Sequence, residues 1–187
     1  MQKRRIGRTS LALALGAMLG STAPAFAEET VCTGTIGPVT LDNILVPSGS
    51  TCTLNGTRAQ GTVQVSSGAT LSASGVRVTG NIQAEGARAV FVNPGSFVGG
   101  NIQIKQGGSA RLDRATVDGD VQLESNRGPL RATRNDVGGN MQVFQNTGGV
   151  TLLNNLIAEN LQCKENTPPP VGGGNSAGSK EDQRAAL

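Results

Sequence analysis

Residues 100–104 read Gly-Asn-Ile-Gln-Ile, and this short phrase returns along the chain with small changes. Its seven versions begin at Asp42, Gly61, Gly80, Gly100, Gly119, Gly139 and Glu159. The starts are 19, 19, 20, 19, 20 and 20 residues apart. Near-constant self-similarity at this period is typical of a solenoid built from stacked coils. The repeat therefore predicts an architecture, whereas it says nothing direct about an activity.

Apolar and polar positions alternate within the phrase. If the leading residue is position zero, positions two and four are apolar in every version, and position three is Gln except at Leu45. This alternation predicts a strand with one face inward. Two further short strands, separated by Gly-containing turns, fit each repeat. The sequence thus predicts an all-β fold, a single-stranded parallel β-helix of about seven coils of 19–20 residues, which we expect to be right-handed.

The first 27 residues have the organisation of a signal peptide. Four basic residues are followed by the apolar run Leu11–Leu19, which is too short to span a bilayer, and by the cleavage motif Ala25-Phe26-Ala27. We expect a mature chain that begins at Glu28 and is secreted or periplasmic. No later apolar run is long enough to cross a membrane.

The mature chain divides into two parts by composition. Residues 28–165 form the β-helix domain, in which residues 28–41 are expected to cap one end. Residues 166–187 are rich in Pro and Gly and form a C-terminal tail that either covers the other end or stays disordered.

The charge of the chain is concentrated in the predicted signal peptide. The whole chain has 16 Lys+Arg and 13 Asp+Glu, and four of the cations precede residue 28, so the mature charge is 12 − 13 = −1. The apparent basicity is therefore a feature of export and does not indicate nucleic acid binding. The chain has no Trp, Tyr or His. A thin solenoid filled by aliphatic side chains needs few aromatic residues.

The three cysteines fall into two classes. Cys32 and Cys52 are 20 residues apart, one coil, so their side chains are expected to stack. In an exported protein this favours a disulfide that stabilises the N-terminal cap by about 3 kcal/mol, with two buried thiols as the alternative. Cys163 occupies an inward column, where it acts either as a small buried apolar residue or in an intermolecular disulfide.

Position three of the phrase predicts an outward ladder of amides. Its members are Gln64, Gln83, Gln103, Gln122, Gln142 and Gln162. Stacked amides bond one another along the rod, which is the structural interpretation of the ladder. The alternative is a flat strip that binds sugar hydroxyls, although such platforms usually also present stacking aromatics.

Two pairs of arginines are predicted to stack coil upon coil. Arg111 and Arg131 lie eight residues before their next phrase, and Arg114 and Arg134 lie five before it. Like charges directly opposite one another are destabilising, so the pairs are a candidate site for an anionic ligand such as an acidic polysaccharide. The alternative is a solvated surface on which a carboxylate, Asp113, neutralises part of the charge of Arg131.

No catalytic or metal-binding constellation is apparent. Without His, His-based triads and His-ligated zinc are excluded, and three dispersed cysteines do not make a metal site. Asp120 and Glu124 share a strand face but are about 13 Å apart, beyond the carboxylate spacing of glycosidases. Phosphate loops and dinucleotide motifs are absent, so no cofactor is expected.

The end of the repeat region carries a resemblance. The block Asn160–Asn166, the following Pro/Gly stretch and the motif Lys180-Glu181-Asp182-Gln183 resemble small secreted bacterial parallel β-helix proteins of uncharacterised function. The resemblance implies the fold, export, and a Cys after this motif that would bridge to Cys163. Here that position is Arg184, so the bridge cannot form. In coil size alone, the chain is also similar to bacterial polymer-forming β-helix scaffolds.

Three functional hypotheses follow. The first is a non-enzymatic, exported β-solenoid that serves as a structural or adhesive element of the cell envelope or matrix. The second is a binding module for acidic polysaccharide or another envelope component, and the third is a polysaccharide lyase or hydrolase. The sequence leaves the oligomeric state open.

Overall fold

The computed structural model of the chain describes residues 28–183 and residue 187. The predicted signal peptide, residues 1–27, and Arg184 lie outside the described residues. The described part of the chain is composed of strands, turns and loops and contains no helix. It accordingly has no helix with the length and apolar character needed to cross a membrane.

Twenty-four short strands follow one another along the described chain. The first twelve are β1 (Glu29–Val31), β2 (Thr35–Ile36), β3 (Thr40–Leu41), β4 (Asn43–Val46), β5 (Thr51–Asn55), β6 (Arg58–Ala59), β7 (Val63–Val65), β8 (Thr70–Ser74), β9 (Arg77–Val78), β10 (Ile82–Glu85), β11 (Ala89–Val92) and β12 (Phe97–Val98). The last twelve are β13 (Ile102–Lys105), β14 (Ser109–Asp113), β15 (Thr116–Val117), β16 (Val121–Glu124), β17 (Leu130–Thr133), β18 (Asp136–Val137), β19 (Met141–Phe144), β20 (Val150–Leu153), β21 (Leu156–Ile157), β22 (Asn160–Lys164), β23 (Val171–Gly173) and β24 (Ser179–Asp182).

The strands form three parallel sheets. Each strand pairs with the strand three places further along the chain, except that β24 pairs with β22. The first sheet has the order β1-β4-β7-β10-β13-β16-β19-β22-β24, and the second has the order β2-β5-β8-β11-β14-β17-β20-β23. The third, of two-residue strands, runs from β3 to β21 in the same manner. This is a parallel β-solenoid of about eight turns, which confirms the predicted fold class.

The apolar columns of the repeat fill the interior of the solenoid. The position-two residues pair in register from coil to coil, as Ile82 does with Ile102 and Ile102 with Val121. All seven residues at position two and all seven at position four are buried. The second and third sheets contribute the rest of one continuous core. Each large aliphatic side chain in it contributes roughly 1.5–3 kcal/mol through burial.

Both ends of the rod are made of additional strands. Residues 28–41, expected as a cap, form β1, β2 and β3, which pair with β4, β5 and β6. The stacking also continues beyond residue 165, where β23 pairs with β20 and β24 pairs with β22. The tail therefore covers the end, the first of its two predicted alternatives. These end strands are why the rod has about eight turns, against the seven predicted from the phrase.

Glycine allows neighbouring coils to approach closely at defined positions. A Cβ atom on Gly80 would lie 2.7 Å from the carbonyl oxygen of Gly61 in the preceding coil. In the tail, Gly172 has a φ of 142°, and a Cβ there would overlap the carbonyl oxygen of Leu152. The glycines of the tail thus permit strand pairing, whereas their composition alone left open whether the tail covers the end or stays disordered.

The predicted disulfide is present. Cys32 and Cys52 are joined, with their Cα atoms 5.5 Å apart. Both residues are buried, so the bridge ties the first coil to the second from inside the rod. Cys163 is a buried thiol in the position-four column, in register with Val143.

Ile102→Lys should destabilise the protein by several kcal/mol, because Ile102 is fully buried and an ammonium placed there has no partner. Gln103→Lys is the matched control on the outward face of the same strand and should change stability by less than about 0.5 kcal/mol. Thermal or urea unfolding of both variants checks the expectation. Equal stability of the two variants would contradict it.

Candidate functional site

The position-one column is a chain of side-chain to backbone hydrogen bonds that joins successive coils. The backbone amide of Asn101 donates to Oδ1 of Asn81 at 2.8 Å, and that of Asp120 donates to Oδ1 of Asn101 at 2.8 Å. The backbone amide of Asn140 continues the chain by donating to Oδ1 of Asp120 at 2.7 Å. These side chains satisfy backbone groups at the start of each first-sheet strand, so their role is structural.

The Gln column is outward, as predicted, and its members pair in register. In the described part of the chain, side-chain hydrogen bonds in this column occur near the C-terminal end. There Gln142 donates to Gln162 at 3.3 Å, and Gln162 donates to Glu181 at 3.0 Å. At the other end of the column, Gln64, Gln83 and Gln103 line a shallow depression of about 400 Å³. The amide ladder is thus partly bonded and partly open to solvent.

Two further ladders, made of buried asparagines, were missed by the sequence reasoning. The first consists of Asn126, Asn146 and Asn166, and the second of Asn135, Asn155 and Asn175, all at most 5% exposed. Each Oδ1 accepts the backbone amide of the preceding coil, as when Asn126 donates to Asn146 at 3.0 Å. Each Nδ2 donates to a strand carbonyl, as when Asn146 donates to Leu123 at 2.8 Å. These ladders satisfy the backbone at two corners of the coil.

The signal for these ladders was present in the sequence as a period of 20 residues. Asn recurs seven residues after the start of the last three phrases, at Asn126, Asn146 and Asn166. Earlier coils lack this Asn, and in the first two coils the same offset holds a Gly with positive φ, at Gly49 and Gly68. The first ladder ends at Gln183, whose side-chain oxygen accepts the backbone amide of Asn166 at 2.7 Å.

Asn146→Leu should destabilise the protein by about 3 kcal/mol or more, since the backbone amide of Asn126 and the carbonyl of Leu123 would each lose a buried partner. Gln142→Leu, on a half-buried outward position of the neighbouring strand, should cost less than about 1 kcal/mol. Chemical unfolding of the two variants beside the parent protein measures the difference. A loss for Asn146→Leu no larger than that for Gln142→Leu would show that the ladder contributes little.

The structure places Arg111 and Arg131 on neighbouring coils, as their equal distance from the next phrase predicted. They occupy directly paired positions on β14 and β17, and both are exposed. Nη2 of Arg111 donates to Oδ1 of Asn93 at 2.8 Å, and its guanidinium carbon lies 5.5 Å from the ring centre of Phe91. Arg131 makes no ion pair with any described carboxylate. One guanidinium of the pair is therefore held by a neighbouring coil, and the other projects into solvent.

The other two arginines of the predicted cluster lie at a corner of the coil. Arg114 and Arg134 have φ of 49° and 53°, the left-handed region that Gly56 and Gly75 occupy at this corner in earlier coils. Nη2 of Arg114 contacts Oδ2 of Asp113 at 3.3 Å. Asp113 thus forms its ion pair with Arg114, whereas the sequence placed it against Arg131.

The two carboxylates that share a strand face, Asp120 and Glu124, are both engaged in contacts between coils. Oε2 of Glu124 forms an ion pair with Nζ of Lys105 at 3.0 Å, and this pair joins two neighbouring coils. Oδ1 of Asp120 accepts two hydrogen bonds from Asn140, at 2.7 and 3.2 Å. Within residues 28–183 and 187, no group of three or more His, Cys, Asp or Glu side chains is placed to hold a metal ion.

No protein-family model, no curated protein and no solved structure matches this chain.

Proposed function

We propose that the protein is an exported, non-catalytic β-solenoid that serves as a structural or adhesive element of the cell envelope or the extracellular matrix. The observation that carries this proposal is that several acidic side chains form hydrogen bonds or ion pairs between coils. Besides Asp120 and Glu124, Glu159 accepts a hydrogen bond from Asn140 at 2.6 Å, and Glu165 accepts one from Gln145 at 2.9 Å. Carboxylates bonded between coils stabilise the rod and are poorly placed for acid–base chemistry.

The shape and the cross-links of the molecule support the same function. About eight turns, stacked at about 4.8 Å, make a rod of roughly 35–40 Å with three long, regular faces. The Cys32–Cys52 disulfide and the predicted signal peptide favour an oxidising compartment outside the cytoplasm. A stable, elongated scaffold with repetitive surfaces suits attachment or mechanical support.

Deletion of the gene in the source organism should impair attachment to surfaces or the integrity of the envelope. Complementation with the parent protein or with Gln103→Lys should restore the phenotype, whereas Ile102→Lys, which we expect to be unstable, should not. Attachment assays, detergent sensitivity and fractionation of the protein measure these outcomes. Cleavage of any polysaccharide by the purified protein, detected as new reducing ends or unsaturated uronates, would overturn the non-catalytic assignment.

A second candidate function, binding of acidic polysaccharide, is favoured by the register of Arg111 and Arg131. Side chains at paired positions of adjacent parallel strands are about 4.8 Å apart, so the two cations repel each other unless an anion lies between them. Arg114 and Arg134 add positive charge at the adjacent corner, although Asp113 neutralises part of it. A polyanion that follows the rod would meet these cations in consecutive coils.

Arg111→Ser combined with Arg131→Ser should weaken binding to an acidic polysaccharide and flatten its salt dependence, because fewer charge contacts are available to be screened. The melting temperature should stay equal or rise slightly, since the repulsion is removed. The matched control is Arg88→Ser with Arg127→Ser, which removes the same charge from exposed positions two coils apart. Melts with and without polyanion at low and high salt test this, and equal binding by both double variants would contradict it.

A further inference from the structure

The outward column of the third sheet contains a second pair of stacked arginines. Arg58 on β6 and Arg77 on β9 are paired in register, and the next member of the column is Phe97 on β12. Both arginines are exposed. Two guanidinium groups that start from adjacent strands about 4.8 Å apart repel each other. Unlike the buried asparagines, Arg58 and Arg77 form no hydrogen bonds with each other that would join the two coils.

No carboxylate of the described residues neutralises this pair. The two ion pairs in residues 28–183 and 187 are Lys105–Glu124 and Asp113–Arg114, which involve other residues. The acidic member of the same column, Asp136, is three coils from Arg77, or about 14 Å along the rod. The positive charge of the pair is therefore available to a ligand.

The guanidinium of Arg77 is held in place by an aromatic ring. Its central carbon lies 4.3 Å from the ring centre of Phe97, a cation–π contact. Stacking restricts the side chain while leaving its N–H donors directed away from the ring, so less entropy is lost when a ligand binds. The three Phe side chains of the described chain, Phe91, Phe97 and Phe144, are all on outward positions, and two of them contact Arg.

The two arginines line a depression whose other walls offer neutral hydrogen-bonding groups. Thr40, Gln60 and Thr79 surround it, and its volume is about 280 Å³. Hydroxyl and amide groups both donate and accept, as sugar hydroxyls do, whereas guanidinium groups only donate and prefer an anion. The depression is thus equipped for one anionic group attached to a hydroxylated body of about the size of a monosaccharide.

We propose that Arg58 and Arg77 form a binding site on the third sheet for the carboxylate or sulfate of an acidic sugar unit. Thr40, Gln60 and Thr79 contact the hydroxyls of that unit, and Phe97 positions Arg77. The site does not rest on the proposed structural function or on the arginines of the second sheet. It differs from that cluster because its two cations share one depression and neither is engaged by a described carboxylate.

Titration of the purified protein with trigalacturonate tests the site by heteronuclear NMR, with a sulfated chondroitin disaccharide as the second anionic probe and maltotriose as the neutral control. The two acidic probes separate carboxylate from sulfate recognition. For at least one of them, amide shifts should be concentrated at residues 58–60 and 77–79. Arg58→Gln with Arg77→Gln should weaken that binding by about tenfold or more, since a charge-assisted hydrogen bond is lost at each position.

One control variant and one further test variant accompany this experiment. Arg88→Gln with Arg127→Gln removes the same charge elsewhere and should change the affinity less than about threefold at 0.15 M salt. Phe97→Leu should weaken binding severalfold, because Arg77 loses its stacking partner. The fold should stay intact, since Phe97 lies on the outward face. Unchanged melting of Arg58→Gln/Arg77→Gln confirms that loss of binding is local.

Several outcomes overturn the proposal. These are the absence of binding of both acidic probes at low salt, maltotriose binding as tight as that of the acidic probes, and undiminished affinity of Arg58→Gln/Arg77→Gln. Shifts confined to residues around 111 and 131 would also reject this site, and would instead support the candidate cluster on the second sheet.

Discussion

Stacking of each coil on an equivalent coil, through parallel strand hydrogen bonds, is the constraint on which the rest of this structure depends. It places every side chain about 4.8 Å from the side chain at the same position of the next coil. A residue is therefore acceptable at a position only if it is compatible with the residue at the same position of the next coil, which in many columns is of the same type. Aliphatic residues meet this condition in the interior, as Ile82 and Ile102 do. Glycine meets it where the backbones approach most closely, as at Gly80.

Asparagine meets the same condition at buried corners, because its side chain carries both a hydrogen-bond acceptor and a donor. The amide oxygen of each Asn accepts from the preceding coil, while its nitrogen donates to a strand carbonyl, so one residue type repeats without conflict. A column of identical charges has no such complementary arrangement. For this reason we consider a binding role for the arginine pairs. The asparagines need no such role, because they satisfy buried backbone groups.

The distribution of aromatic residues follows from the narrow interior. Val, Ile, Leu and Ala fill it, and the described Phe side chains lie outside, where Phe91 and Phe97 contact Arg111 and Arg77. An outward aromatic ring covered by a guanidinium presents a fixed cation on a rigid sheet. The proposed sugar-binding site uses this feature, and the hydrogen-bonded parallel strands hold its residues in register.

In a solenoid, residues one sequence period apart are neighbours in space. For this reason the sequence alone determined the fold class, the inward columns, the stacking of Cys32 on Cys52 and the register of Arg111 with Arg131. The structure then showed that the two cysteines are joined. The same arithmetic applied to Arg58, Arg77 and the buried asparagines would have found those columns too.

Other properties depend on corner geometry and on competition between nearby partners, which a period does not encode. Only the tertiary structure showed that Asp113 pairs with Arg114, that Asn93 engages Arg111, and that the glycines of the tail admit a further strand. The period gives the neighbours of each position, whereas these contacts depend on which of several nearby side chains reach one another and on how closely two backbones approach.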